Sequence, residues 1–86
     1  MEIIYSKKFD KSFEKLEVKK QEKVTHAISV FQDNPRNISL KNHKLSGNKK
    51  GLRAISVGGD LRILFLEEND YTRVLMLQTG SHNQVY

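Results

Sequence analysis

The spacing of apolar residues changes period along this chain, and each change marks an element. Glu2-Ile3-Ile4-Tyr5 is rich in β-branched and aromatic residues and reads as a short strand. Ser6 then fits a helix N-cap. Phe9, Phe13 and Leu16 recur at i, i+4 and i+7, the stripe of an amphipathic helix, with Lys7, Lys8, Lys11 and Lys15 along its wet side. A second helix is expected from about Lys20 to Asp33, with Val24, Ala27, Ile28 and Phe31 as its buried stripe. Asn34-Pro35 ends it, because the residue before proline avoids the helical region. Residues 36–51 are polar, hold Gly47 and Gly51, and read as a connection with little regular structure. The period then becomes that of strands: 52–57 and 60–66 flank Gly58-Gly59 as a tight hairpin, and 73–79 follow after the acidic turn 67–72. Residues 80–86 read as a tail. The order β-α-α-β-β-β predicts an α+β domain spanning 1–86, with two N-terminal helices on one face of a small, mostly antiparallel twisted sheet.

The hairpin predicts which side chains share a face. A two-residue turn at Gly58-Gly59 pairs Val57 with Asp60, Ile55 with Arg62 and Arg53 with Leu64, and cross-strand partners lie on the same face. Arg53, Asp60 and Arg62 are then expected together on the open face. Leu52, Ala54, Ser56, Leu61, Ile63 and Phe65 are expected against the helices. A plain surface ion-pair cluster would account for the same three charged residues.

Charge sharpens this picture. The chain carries a net +5, and the excess is local: residues 41–62 hold Lys41, Lys44, Lys49, Lys50, Arg53 and Arg62 against Asp60 alone. A concentrated positive field attracts polyanions, nucleic acid first among them, although a solvated lysine-rich loop has the same composition. Lys41, Lys44, Lys49, Lys50 and Arg53 are therefore candidate RNA-binding residues. The chain has no cysteine, which excludes disulfides and thiolate metal sites. No long apolar run marks a signal peptide or membrane span, and a cytoplasmic protein with no membrane association is expected.

Three histidines remain. His26 falls opposite the core stripe of its helix and is expected in solvent. His43 lies in the basic loop and His82 follows the last strand. Each alone is an ordinary surface histidine. Together with Asp60 they form a candidate acid–base set, because imidazole gains and loses a proton near neutral pH. Cleavage of RNA requires deprotonation of a 2′-hydroxyl, protonation of the leaving 5′-oxygen, and fixed positive charge for the phosphorane. His43, Asp60 and His82 can carry protons, Arg62 and Arg53 can supply charge, and Tyr86 can stack on a base or bond to its backbone. Tyr86 could equally cap the edge of the core. Two histidines and a carboxylate could also hold a metal, but no second carboxylate lies nearby and the surrounding cations repel one. No metal or cofactor is expected.

The series Lys41-Asn42-His43-Lys44-Leu45-Ser46-Gly47, Lys50-Gly51-Leu52-Arg53, Gly59-Asp60-Leu61-Arg62-Ile63-Leu64-Phe65 and Gly80-Ser81-His82-Asn83-Gln84-Val85-Tyr86 resembles the YafQ branch of the RelE/ParE toxin superfamily over nearly the whole chain. The resemblance implies a RelE-like fold and a toxin of a type II toxin–antitoxin module that cleaves mRNA on the ribosome and inhibits translation. It implies mRNA, the ribosome and a cognate, DNA-binding antitoxin as partners, in a toxin–antitoxin hetero-oligomer; the basic charge suggests that the antitoxin is acidic. By position, His43, Asp60, His82 and Tyr86 match the family's site, with His82 as proton donor. Some members carry a further histidine and an acidic residue where this chain has Ser56 and Ala54, both expected on the core side. Two rival readings are a ParE-like inhibitor of DNA gyrase and an inactive module that binds RNA or antitoxin.

Overall fold

The computed structural model describes residues 1–86. It runs β1 (Glu2–Tyr5), α1 (Lys7–Glu14), α2 (Val18–Asp33), β2 (His43–Lys44), β3 (Arg53–Gly58), β4 (Leu61–Glu68), β5 (Arg73–Ser81) and α3 (His82–Val85), with 3-10 turns at Ile38–Leu40 and Gly47–Lys49. One sheet has the order β1-β5-β4-β3-β2, and only the β1–β5 pair is parallel. This is the expected α+β arrangement. No helix is long and apolar enough to cross a membrane.

Ser6 locks the first helix onto the sheet. Its Oγ accepts the Phe9 N–H at 3.0 Å and donates to the Leu77 carbonyl at 3.0 Å. Leu77 is the extra residue of a β-bulge, where the β4–β5 register steps from Leu64↔Gln78 to Phe65↔Met76. The helix cap thus also satisfies a carbonyl of the bulge. Six residues on, Ser12 Oγ accepts the Thr79 N–H at 3.1 Å. Helix α2 buries Val24, Ala27 and Phe31, and the Phe31 ring meets Phe65 edge-on at 5.0 Å and Tyr71 at 5.9 Å. Asn34 ends this helix before Pro35, and His26 is exposed, both as expected.

The hairpin departs from its expected register. Ile55 pairs with Ile63, Arg53 with Phe65, Ala54 with Leu64 and Ser56 with Arg62, and an irregularity between Ser56 and Gly58 leaves Val57 as an extra residue. A slip of one residue in a strand exchanges its two faces. Ile55 and Val57 therefore pack with Leu61, Ile63 and Phe65 in the core under the helices. Ala54 and Ser56 share the opposite face with Leu64 and Arg62. Expecting Arg53 and Arg62 on one face was wrong, and so was placing Ala54 and Ser56 on the core side. The physical reason is the core itself, which takes the β-branched Ile55 and Val57 in preference to Ala54 and Ser56.

Two further elements were not expected. The 36–51 connection contains β2 and both 3-10 turns, and the tail folds into α3. Helix α3 lies over the sheet face that α1 and α2 leave open. There Val85 is buried with Ala54 and Leu64 in a second apolar cluster flanked by Leu45 and Leu77.

Phe31 is fully buried between Phe65 and Tyr71 and ties α2 to the sheet. Replacing Phe31 with Ala is expected to cost about 3–5 kcal/mol in a urea unfolding experiment. A loss below about 1 kcal/mol would mean that the rings are not packed as described.

Candidate active site

The site is assembled from the two elements that periodicity does not announce, β2 and α3. His43 pairs with Ala54, so its side chain shares the open face with Ala54 and Leu64. Its Nδ1 lies 2.8 Å from the Lys41 carbonyl oxygen, and its Nε2 lies 3.4 Å from the Tyr86 hydroxyl. His82 and Tyr86 are four residues apart on one helical turn, and their rings meet edge-on at 4.4 Å. The Tyr86 ring thus stands between two imidazoles that are 39 positions apart in sequence. His43, His82 and Tyr86 are all exposed or nearly so. At 3.4 Å the hydrogen bond between Tyr86 and His43 is loose, and an incoming polar group can replace it.

A four-residue helix has no stability of its own, so α3 depends on its anchors. Ser81 Oγ accepts the Gln84 N–H at 3.3 Å, and Gln84 Oε1 accepts the Ser81 N–H at 2.8 Å, a reciprocal capping box. The His82 N–H donates to the Asp60 carbonyl at 2.9 Å, and Gln78 Nε2 donates to the Gln84 carbonyl at 3.2 Å. Val85 plugs the apolar cluster below. A Cβ at Gly80 would stand 2.7 Å from Gln84 Oε1 and push that amide out of the capping box, which favours glycine there. The capping box is legible in the sequence as Ser81-x-x-Gln84 before an apolar residue, yet residue type alone did not mark Ser81, Gln84 or Gly80 as functional.

Arg62 lies on the same open face. One of its guanidinium nitrogens, Nη1, donates to the Gly59 carbonyl at 2.8 Å, the Leu61 carbonyl at 3.1 Å and Ser56 Oγ at 3.2 Å. This fixes the side chain beside the hairpin tip and leaves Nε and Nη2 free. Ser56 thus helps to hold Arg62. Asp60 is placed differently from expectation. Its carbonyl anchors His82, but no hydrogen bond joins its carboxylate to an imidazole, and it lines a separate cavity of about 290 Å³ with Lys20, Lys23, Ser81 and Gln84.

The basic residues divide between two places. Arg53 and Lys44 are cross-strand partners facing away from His43. Arg53 Nε donates to Asn42 Oδ1 at 2.8 Å. Arg53 and Lys41 line the largest cavity, about 670 Å³, together with Arg36, Asn42, Glu67 and Tyr71. Arg36, paired with Asp70 at 2.6 Å and stacked 4.9 Å over Tyr71, has its pKa raised further by that carboxylate. Lys44 and Lys50 line a neighbouring cavity of about 460 Å³, and Lys49 lies in the adjacent 3-10 turn.

This fold has known counterparts. The profile of a family described as "Bacterial toxin of type II toxin-antitoxin system, YafQ" matches residues 1–86. The chain is a member of the YafQ toxin family. A crystal structure of YafQ from E. coli strain BL21(DE3) superposes on this toxin with a TM-score of 0.82 at 20% identity, covering 99% of this chain and 97% of the other. YafQ in the E. coli DinJ–YafQ toxin–antitoxin complex superposes with a TM-score of 0.79 at 20% identity, covering 99% and 96%. A YoeB/ParE toxin from Agrobacterium tumefaciens gives 0.77 at 16% identity over 95% and 99%. At these identities the structural likeness speaks for the fold, and the family match makes the chain a type II toxin. No curated protein matches the sequence.

If the anchors of α3 hold the site of this YafQ-family toxin, Ser81→Ala should lower stability by about 1 kcal/mol and free the tail. The ring-current shifts that Tyr86 imposes on His82 should collapse in the proton NMR spectrum, and Ser81→Thr should restore them. Unchanged His82 shifts in Ser81→Ala would show that the capping box does not position the tail.

Proposed function

We propose that this toxin is a metal-independent endoribonuclease that cleaves mRNA on the ribosome and so inhibits translation. The observation carrying this reading is the pairing of His43 with His82 across the Tyr86 ring, on the sheet face that also holds Arg62. Family membership supports the toxin role. The RNA chemistry is argued from the residues.

His43 acts as the base. The Lys41 carbonyl can only accept a hydrogen bond, so Nδ1 carries the proton and Nε2 presents its lone pair toward the tail. A 2′-hydroxyl displacing the Tyr86 hydroxyl gives its proton to His43 Nε2, and the 2′-oxygen forms a bond to phosphorus. The bond from phosphorus to the 5′-oxygen breaks, and that oxygen takes a proton from protonated His82. The products are a 2′,3′-cyclic phosphate and a 5′-hydroxyl. Arg62, held beside the hairpin tip through Nη1, keeps Nε and Nη2 for the phosphorane oxygens. Tyr86 supplies a ring on which the adjoining base can stack. Asp60 contributes its carbonyl as an anchor for His82. Lys41, Lys49 and Lys50, with Lys44 and Arg53 on the reverse of the sheet, supply the long-range positive field that draws RNA toward the site. A target on the ribosome places this action in the cytoplasm. The partner that silences the protein is an acidic antitoxin, as DinJ assembles with E. coli YafQ.

Primer extension on a reporter mRNA in a purified translation system tests this reading. Discrete cuts are expected with wild type, falling by about 10²-fold or more in His43→Ala and His82→Ala. Asp60→Ala should cost less than either. Full activity in His82→Ala would remove the acid from the scheme. An absence of cuts together with inhibited supercoiling would transfer the protein to the gyrase-binding class. The double charge reversal Lys49→Glu with Lys50→Glu should weaken ribosome binding and make its dependence on salt shallower, by a slope of about one for each phosphate no longer neutralised. A weakening equal at every salt concentration would indicate damage to the fold.

A further inference from the structure

The base of this scheme sits on the least supported strand in the sheet. β2 is two residues long and lies at the edge, so its ladder alone cannot fix the direction of a side chain. The residue before His43 is held far more firmly. Asn42 Nδ2 donates to the Pro35 carbonyl at 2.9 Å and to the Tyr71 hydroxyl at 2.9 Å, and Asn42 Oδ1 accepts from Arg53 Nε at 2.8 Å. Three anchors from three parts of the chain converge on one half-buried amide. Tyr71 is buried against Phe31 and Phe65, so the clamp is tied directly to the core.

Asn42 immediately precedes β2, so holding its side chain inward fixes where the strand begins, with Lys44 on the Arg53 side and His43 on the other. Lys41, on the other side of the clamp, has φ 50° and ψ 44°, a left-handed conformation. That turn brings its carbonyl onto His43 Nδ1 at 2.8 Å. A carbonyl at this nitrogen selects the tautomer protonated on Nδ1.

We propose that Asn42, clamped by Arg53, Tyr71 and the Pro35 carbonyl, is a positioning residue that holds the Lys41 carbonyl against His43 and so presents the Nε2 lone pair to the substrate. The proposal rests on the reading of His43 as the proton acceptor and deepens it. It also gives Arg53 a task apart from attracting RNA: its Nε, pointed away from the imidazoles, sets the geometry of the base from behind.

The test is a long-range nitrogen–proton NMR spectrum of the full-length protein at a pH where His43 is neutral, alongside steady-state RNA cleavage. Wild-type His43 should carry its proton on Nδ1. Asn42→Ala should give a mixture of both tautomers and lower kcat by about tenfold or more, with KM changing less than about threefold. Tyr71→Phe removes one of the three bonds and keeps the ring, so it should show an intermediate mixture. It carries the test should Asn42→Ala fail to fold. Arg53→Lys keeps the charge but loses the Nε donor. It should disturb the tautomer if Arg53 positions Asn42, and leave it intact if Arg53 serves only RNA. A wild-type proton on Nε2, or an unchanged tautomer in the folded clamp variants, overturns the proposal whatever kcat does. A wild type that cuts no RNA removes the ribonuclease reading, and the nitrogen spectrum still decides whether the clamp exists.

Discussion

A strand has two faces, and in the β3–β4 hairpin the choice between them decides where everything else can go. Ile55 and Ile63 pair directly and lie under the helices with Phe65. Burying those side chains outweighs the regularity of the turn, so Val57 is left over and the strand bulges. Once that register is set, Arg62, Ser56 and Ala54 must face the other way. The open face receives the arginine, and the small Ala54 leaves room there for Val85 to enter from above. Arg53 is sent to the opposite side of the sheet, where it meets Asn42. One hydrophobic preference thus separates the cation beside the site from the cation behind it.

The residues proposed for chemistry stand on the elements with the least stability of their own. Helix α3 has four residues and β2 has two. Their geometry is borrowed from the core through a few directed interactions: the capping box, the Asp60 carbonyl and Val85 for the tail, and Asn42 for the edge strand. Such an arrangement leaves the imidazoles exposed to a polymeric substrate while limiting their motion. It also leaves the tail open to displacement, because weakly buried segments are the first to open.

Periodicity revealed the helices, the long strands and the layer arrangement because each repeats over several residues. Phe9, Val24, Ala27 and Phe31 were recognisable as core on that ground. The register of β3 was not, since a Gly-Gly turn with a bulge and one without differ by a single unpaired residue, and Leu-Arg-Ala-Ile-Ser-Val alternates acceptably either way. β2 has no period at two residues, so nothing in Asn42-His43-Lys44 announced a strand. For the site, residue type and family resemblance singled out His43, His82, Arg62 and Tyr86, which the fold gathers on one face. They could not show that the Asp60 carbonyl, and not its carboxylate, meets His82, or that Asn42 and Gln84 anchor the segments carrying the two imidazoles, because such contacts are read only from their partners.

Two imidazoles, one taking the proton of a ribose 2′-hydroxyl that attacks phosphorus and the other protonating the leaving 5′-oxygen, must leave a particular pair of ends at the cut. Mass spectrometry of the fragments from an mRNA cleaved in a purified translation system reads those ends. A 2′,3′-cyclic phosphate (or the 3′-phosphate formed on its hydrolysis) on one fragment and a 5′-hydroxyl on the other is the predicted result. A 3′-hydroxyl facing a 5′-phosphate would mean that water, not the 2′-oxygen, attacked phosphorus, and would contradict the roles given to His43 and His82.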